Sequence, residues 1–531
     1  MRSFHFPGRS LAYGRRAMCA TSHPAASLAA IEVLREGGNA VDAAIATAAV
    51  LAVVEPHMTG IGGDCFAIIA KPNARKLVAL NASGRAPKGA TAAWLAGAGL
   101  DRIGPNTAHA VTVPGAIDGW ARLLEDHGTL PLARLLEPAI ALAQEGFVVT
   151  PRVASDWARN AAKLAGNAGA RKHLLKGGRP PKEGEVMRFP ALAATLGRIA
   201  KHGRDGFYRG DAAKDMVAEL SALGGLHTLE DFAAQAGSAS YVTPISVPYR
   251  GVELCELPPS NQGIVALIML KMLARMGKPA PDPVSPERYH VLMEAARLAF
   301  AMRDAFVADP DKADVPVEHM LDDDVIDTLV ARVDRRKHRP QLAPVPQPVG
   351  SDTVYFSIVD AKGMAVSFIN SLFDEFGSGI VTGKTGIVLH NRGKGFVTDP
   401  RHPNCIAPGK RPMHTLVPAM VLKDGKPYMS FGVMGANFQP MGHVYVMSNM
   451  FDYGMDPQEA LDSPRVFFEG DGLLAEESVP ASVIAGLRRL GHRVSLREAP
   501  WGGGQIVVMD RERGVLIGAS DARKDGMAIG Y

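Results

Sequence analysis

Thr353 opens an apolar run, residues 353–359, directly after a proline-rich stretch, and Gly350-Ser351-Asp352 precede it. That setting suits one peptide bond exposed at the mouth of a sheet. A threonine at a strand start is ordinarily structural, because β-branched residues fit a pleated surface. Cutting the Asp352–Thr353 bond would change its chemistry: Thr353 would gain an α-amino group with an unperturbed pKa of about 7.7–8.0. Amine and hydroxyl would then share one residue, which would supply nucleophile and general base near neutral pH. No histidine would be needed.

Other motifs with chemical promise fail on spacing. The run Gly379-Ile380-Val381-Thr382-Gly383-Lys384-Thr385 looks like a phosphate loop, but that motif needs four residues between its first glycine and the Gly-Lys pair. Gly379 leaves three and Gly377 leaves five. A one-residue error displaces the N–H groups that must converge on phosphate, so a plain glycine turn is expected. Gly60-Ile61-Gly62-Gly63 lacks the dinucleotide spacing, and there is no HExxH or other paired-histidine ligand set. Neither a cofactor nor a metal is expected.

The elements that must position Thr353 come from a chain of 531 residues, enough for two to four domains or one large two-part fold at roughly 100–200 residues per domain. Hydrophobic residues make up 47% and charged residues 21%, which excludes disorder and coiled coil. A net charge of +4 over this length argues against a nucleic-acid or membrane-surface partner. Cys19, Cys65, Cys255 and Cys405 show no CxxC spacing, so a reducing compartment is the simplest expectation. The first twenty residues lack the apolar stretch of a secretory signal. The longest apolar segment, residues 40–54, carries Asp42 and Thr47 and is too short to span a bilayer. Together these features predict a cytoplasmic protein.

Residues 24–55 read as two buried helices broken at Gly37-Gly38-Asn39, followed by a glycine turn and short strands at 65–70 and 77–80. Residues 115–335 read as mostly helical, for example at 116–127, 131–144, 264–275 and 288–306. Residues 334–352, charged and then proline-rich, predict an extended, exposed linker. Beyond it the period changes to hairpins, at 353–368, around Asp424-Gly425 and around 511–514, with helices near 457–461 and 481–490. The expected fold class is α+β, a layered sandwich whose sheets take strands from both parts.

Several of these segments together resemble a known family. Thr353-Val354-Tyr355-Phe356-Ser357-Ile358-Val359-Asp360, Gly363-Met364-Ala365-Val366-Ser367 and Phe376-Gly377-Ser378-Gly379-Ile380 resemble the strand–turn–strand around the catalytic threonine of the γ-glutamyltransferase family, self-cleaving N-terminal-nucleophile hydrolases. Gly37-Gly38-Asn39-Ala40-Val41-Asp42, Val54-Glu55-Pro56 and Gly60-Ile61-Gly62-Gly63 are similar to its N-terminal signature. Thr112-Val113-Pro114-Gly115, Pro258-Pro259 and the region 432–465 extend the likeness. The resemblance implies a four-layer αββα sandwich built jointly by a large chain, 1–352, and a small chain, 353–531, that stay together as a heterodimer after self-cleavage between Asp352 and Thr353.

It also implies roles. Thr353 matches the nucleophile. Ser371 falls where a threonine hydroxyl contacts the new amino group, and Gly435-Ala436 fall where a Gly-Gly pair offers N–H groups to the oxyanion. The groups that read an amino-acid substrate are changed: Ser83 replaces an arginine, His414 and Thr415 two serines, Phe373 an asparagine, Arg392 an acidic or amide residue and Gly395 an aspartate. Loss of ammonium acceptors and gain of a guanidinium favour an anionic acyl group without an α-amine, with Arg85 or Arg392 binding its carboxylate. Segments such as Asn81-Ala82-Ser83-Gly84-Arg85-Ala86-Pro87 and Arg411-Pro412-Met413-His414-Thr415 resemble the branch that holds glutaryl-cephalosporin acylases and oxamate amidohydrolases. The expected partner is a small-molecule amide. Two alternatives stand beside it: a true γ-glutamyl hydrolase or transpeptidase acting on glutathione, and an uncleaved, non-catalytic binding protein.

Overall fold

Alternation along the central hairpin sets the architecture. Strand Asp352–Val359 pairs antiparallel with strand Ala365–Phe373. Val354, Phe356, Ile358, Val366, Phe368 and Leu372 enter a core shared with helices, whereas Tyr355, Val359, Ala365 and Ile369 enter a second core that faces another sheet. A strand that is apolar on both faces must be covered on both. The computed structural model describes residues 8–72, 76–340 and 352–531, and in it each face is covered.

The hairpin lies in a seven-stranded sheet ordered Met527–Gly530, Met18–Thr21, Asp352–Val359, Ala365–Phe373, Asp64–Ala70, Leu77–Ala82, Ser240–Val242. A second seven-stranded sheet runs Ala12–Gly14, Val515–Ser520, Gly503–Asp510, Lys426–Met434, Ala419–Lys423, Val252–Glu256, Ile245–Tyr249. The two sheets meet through Phe66, Ile68, Tyr355, Ile369, Met420, Val507 and Met509. Helices Pro24–Arg35, Ala40–Val54 and Ala116–His127 cover the first sheet, with Leu132–Glu145 packed on Ala40–Val54; Ile264–Arg275 and Gln439–Phe451 cover the second, with Pro286–Phe306 packed on Ile264–Arg275. This is the expected αββα sandwich.

Helix Ala40–Val54 shows how the sequence signals hold. All fifteen of its residues are buried, so it has no polar face, and Asn39 caps it in a reciprocal box with Asp42. The Asp42 carboxylate also accepts from the Thr129 and Leu130 N–H groups at 2.8 and 3.1 Å, which satisfies a buried charge with backbone donors.

Three readings change. The span read as mostly helical also contains strands Ser240–Val242 and Ile245–Tyr249, which sit at sheet edges, where Pro248 is tolerated, and Val252–Glu256, one strand further in. The start of the expected exposed linker, residues 334–340, is anchored: His338 is buried, donates its backbone N–H to the Leu490 carbonyl at 2.7 Å and binds Glu294 at 2.7 Å. Residues 341–351, with Gly350 and Ser351, lie outside the described residues. At the false phosphate loop a carboxylate stands where phosphate would, because Asp215 accepts from the Lys384 and Thr385 N–H groups at 3.0 and 2.8 Å. All four cysteines are buried and free. Among the described residues, no helix is long and apolar enough to cross a membrane.

The spacing of the two sheets depends on Gly432. A Cβ there would lie 2.5 Å from the Tyr355 ring, which fills the layer between the sheets. Gly432→Ala is expected to lower stability by about 1–3 kcal/mol, the usual cost of overpacking, as read by urea unfolding.

Candidate active site

Parity along the hairpin sends Thr353 and Ser371 into the layer between the sheets, and a register slip then brings them together. Asp352 pairs with Phe373 but Val354 pairs with Asn370, so Thr353 alone opposes both Ser371 and Leu372. Such two-against-one bulges re-aim side chains. Thr353 Oγ1 lies 3.0 Å from Ser371 Oγ, and both residues are fully buried. Ser371 Oγ accepts from the Phe373 N–H at 2.8 Å and lies 3.4 Å from Arg392 Nη2. In the contact between the two hydroxyls either oxygen could be the donor.

Arg392 is the most informative group here. It is completely buried, its Nη1 donates to Thr415 Oγ1 at 2.6 Å, and its guanidinium stacks 4.0 Å over the Phe373 ring. Lys394 Nζ lies 4.5 Å from the same ring but is committed to Asp374 at 2.5 Å. Arg392 Nε has no hydrogen-bond partner among the described residues. Burial pushes the Arg392 pKa down to about 9, against the pull of Asp64 and Asp374. A buried cation left in this state is a ready receptor for an anion.

Asp64 is the second anchor. Its Oδ1 accepts from the Gly84 and Gly115 N–H groups, each at 2.9 Å, and its Oδ2 accepts from His414 Nε2 at 3.0 Å, with His390 Nδ1 at 3.6 Å. Burial alone would raise its pKa, but His390, His414 and Arg392 outweigh that and hold it at about 2. Burial and the nearby Arg392 charge lower His414 to about 3. Its Nδ1 accepts from the Leu416 N–H at 3.3 Å, so both ring nitrogens are occupied and His414 is no proton shuttle.

The remaining predicted residues divide clearly. Gly435 and Ala436 form a tight turn between strand Lys426–Met434 and helix Gln439–Phe451, with φ of 129° and 47°. Among the described residues, neither N–H has an acceptor. Phe373 also holds a left-handed φ, 81°. Backbone strain of this kind collects at functional sites. Ser83 is buried beside Asp64's loop and donates its N–H to Asn81 Oδ1 at 3.0 Å. Arg85 goes elsewhere: it pairs with Asp311 at 3.2 Å and Asp309 at 3.8 Å, donates to the Gly409 carbonyl, and has no contact with Thr353 or Ser371 among the described residues. Gly395 accepts at its carbonyl from Asn404 Nδ2 at 2.7 Å.

Two glutamines were not singled out from the sequence. Gln439 Nε2 lies 3.4 Å from Thr353 Oγ1 while its Oε1 accepts from the Val417 N–H at 2.9 Å. Gln262 Nε2 donates to the Ala436 and Thr415 carbonyls at 2.9 and 3.0 Å and so ties the glycine turn to the Arg392 side. Their only sequence signal was proximity to motifs already marked, Pro258-Pro259 and Gly435-Ala436.

A threonine at the edge of a central hairpin, aimed between the sheets of an αββα sandwich, defines the N-terminal-nucleophile hydrolase class of fold. The family model described as gamma-glutamyltranspeptidase matches residues 26–531, and the chain belongs to that enzyme family. It is 38% identical over 526 residues to the glutathione hydrolase-like YwrD proenzyme of Bacillus subtilis, covering 97% of this chain and 99% of that protein. It is 37% identical to the oxamate amidohydrolase proenzyme of Klebsiella pneumoniae, covering 97% and 98%. The crystal structure of cephalosporin acylase from Bacillus halodurans superposes with a TM-score of 0.91 at 38% identity, covering 100% of this chain and 99% of that one.

His414 carries a pH consequence. Its folded pKa of about 3 lies below the unfolded value of about 6.5, so the unfolded chain binds the extra proton between those limits and stability falls as pH drops through that window. His414→Asn should remove up to one proton from that dependence, about 1.4 kcal/mol per pH unit, in unfolding curves recorded from pH 6.5 to 4.

Proposed function

We propose that the chain is a proenzyme that cuts itself between Asp352 and Thr353 and then hydrolyses the amide of a small acid whose acyl group bears a carboxylate and lacks an α-amine. In self-cleavage the Thr353 hydroxyl attacks the Asp352 carbonyl, and the acyl group moves from nitrogen to oxygen. Water then splits the ester, leaving an Asp352 carboxylate on the large chain, 1–352, and a free amine on the small chain, 353–531. In turnover that amine takes the Thr353 hydroxyl proton as the oxygen attacks the substrate carbonyl, then gives it to the leaving amine. Ser371 holds the amine and hydroxyl in place. Gly435 and Ala436 offer N–H groups to the oxyanion, and water releases the acid.

One observation carries the substrate class: Arg392 is a buried guanidinium without an ion pair among the described residues, hydrogen-bonded to Thr415 and 3.4 Å from the hydroxyl that touches Thr353. It would bind a carboxylate and, with Lys394 close by, repel the ammonium of a γ-glutamyl group. Ser83, Phe373 and His414 would line that acyl pocket without offering a carboxylate or amide oxygen for an amine. The relatives named as an oxamate amidohydrolase and a cephalosporin acylase support this reading.

On a denaturing gel the protein should run as two bands, the smaller beginning at Thr353, and Thr353→Ala should stay as one band with no measurable turnover. Arg392→Gln should cut itself normally but lower kcat/KM on glutaryl or oxamate amides about 10–100-fold, matching loss of a charged hydrogen-bond donor. A marked preference for glutathione over those amides would overturn the substrate class.

A further inference from the structure

Far from Thr353 in sequence and contacts, three ligand-type side chains converge. His290 and Glu294 lie four residues apart on helix Pro286–Phe306, so they share one face of it. His492 reaches them from the turn after helix Ala481–Arg489. One donor atom from each residue falls within 4.8 Å of the other two, and all three side chains are buried. A nitrogen–nitrogen separation of 2.8 Å already joins His290 Nδ1 to His492 Nε2.

The surroundings orient these groups as ligands. His290 Nε2 donates to the Asp334 carbonyl at 2.7 Å, which leaves its Nδ1 lone pair facing His492. His338 Nδ1 donates to Glu294 Oε1 at 2.7 Å, and its ring stacks on His492 at 4.4 Å. Partners of this kind, a carbonyl behind an imidazole and an N–H behind a carboxylate, are what fix metal ligands. The His492 ring stands edge-on to His290, with ring centroids 5.0 Å apart. Its Nδ1 has no partner among the described residues.

We propose that His290, Glu294 and His492 bind a divalent transition-metal ion of the zinc class. Two imidazoles and one carboxylate are a ligand set for that ion, with a water or the second Glu294 oxygen completing four. Bonds of about 2.0–2.2 Å at tetrahedral angles put ligand atoms about 3.3 Å apart, so the ion needs only small side-chain shifts. It displaces the hydrogen between the two rings, and that proton passes to His492 Nδ1. Because His290 and Glu294 precede Thr353 and His492 follows it, the ion also ties the large chain to the small one; this second role rests on the proposed cut. The set was invisible by spacing, since 202 residues separate the two histidines.

The test uses the purified protein, cut or uncut, equilibrated with zinc chloride and desalted, with metal measured by mass spectrometry. Retention of about one zinc per chain, lost in His290→Gln and His492→Gln, is expected. Retention near zero, or equal in both variants and in unaltered protein, overturns the proposal. Cobalt(II) gives a second readout that needs no variant: a visible absorption of four- or five-coordinate cobalt supports the site, and its absence overturns it. Neither measurement depends on turnover or on the Asp352–Thr353 bond, so failure here is distinct from failure of the proposed function.

Discussion

The layer between the two sheets must do two incompatible jobs, gluing the sheets together with apolar side chains and housing the hydroxyls of Thr353 and Ser371. Phe66, Tyr355, Ile369, Met420 and Val507 fill most of it, and a closely packed interior would reject unpaired polar atoms. The conflict is resolved at one end of the central hairpin, where the pleat points Thr353 and Ser371 inward and a bulge lets them touch.

Charge is handled by the same logic. Asp64 is fully buried, yet two backbone N–H groups and His414 surround it, so it remains ionised. Arg392 is treated differently, with an aromatic ring on one side, a threonine hydroxyl on another and Asp64 only at longer range. A guanidinium under-served in this way makes a buried site costly for the empty protein and receptive to an anion. Arg85, drawn to Asp309 and Asp311, shows the opposite outcome for the same residue type.

The interleaving of the chain bears on processing. Strand Asp352–Val359 lies between Met18–Thr21 and Ala365–Phe373, and Ala419–Lys423 pairs with Val252–Glu256. Pieces on either side of residue 352 therefore share both sheets and all the cores between them. Breaking one peptide bond removes no ladder hydrogen bond beyond those of the residues at the cut, which is why a processed protein of this architecture would stay assembled.

Local order was written plainly in the sequence. Helices 116–127 and 264–275, the buried pair ending at Glu55 and the hairpins around Thr353, Asp424 and 511–514 all follow from apolar period, caps and turn residues acting over a few positions. Thr353 was legible as the opening of an apolar strand and Gly435-Ala436 as a turn, whereas Ser371 was marked only by its resemblance to the family. Tertiary structure alone decided that Arg392 and not Arg85 reaches Ser371, that Gln439 reaches Thr353 while Gln262 ties Ala436 to Thr415, and that His290 meets His492. Periodicity and capping are short-range, whereas which of two arginines finds a carboxylate depends on packing between residues hundreds of positions apart, and no spacing rule carries that information.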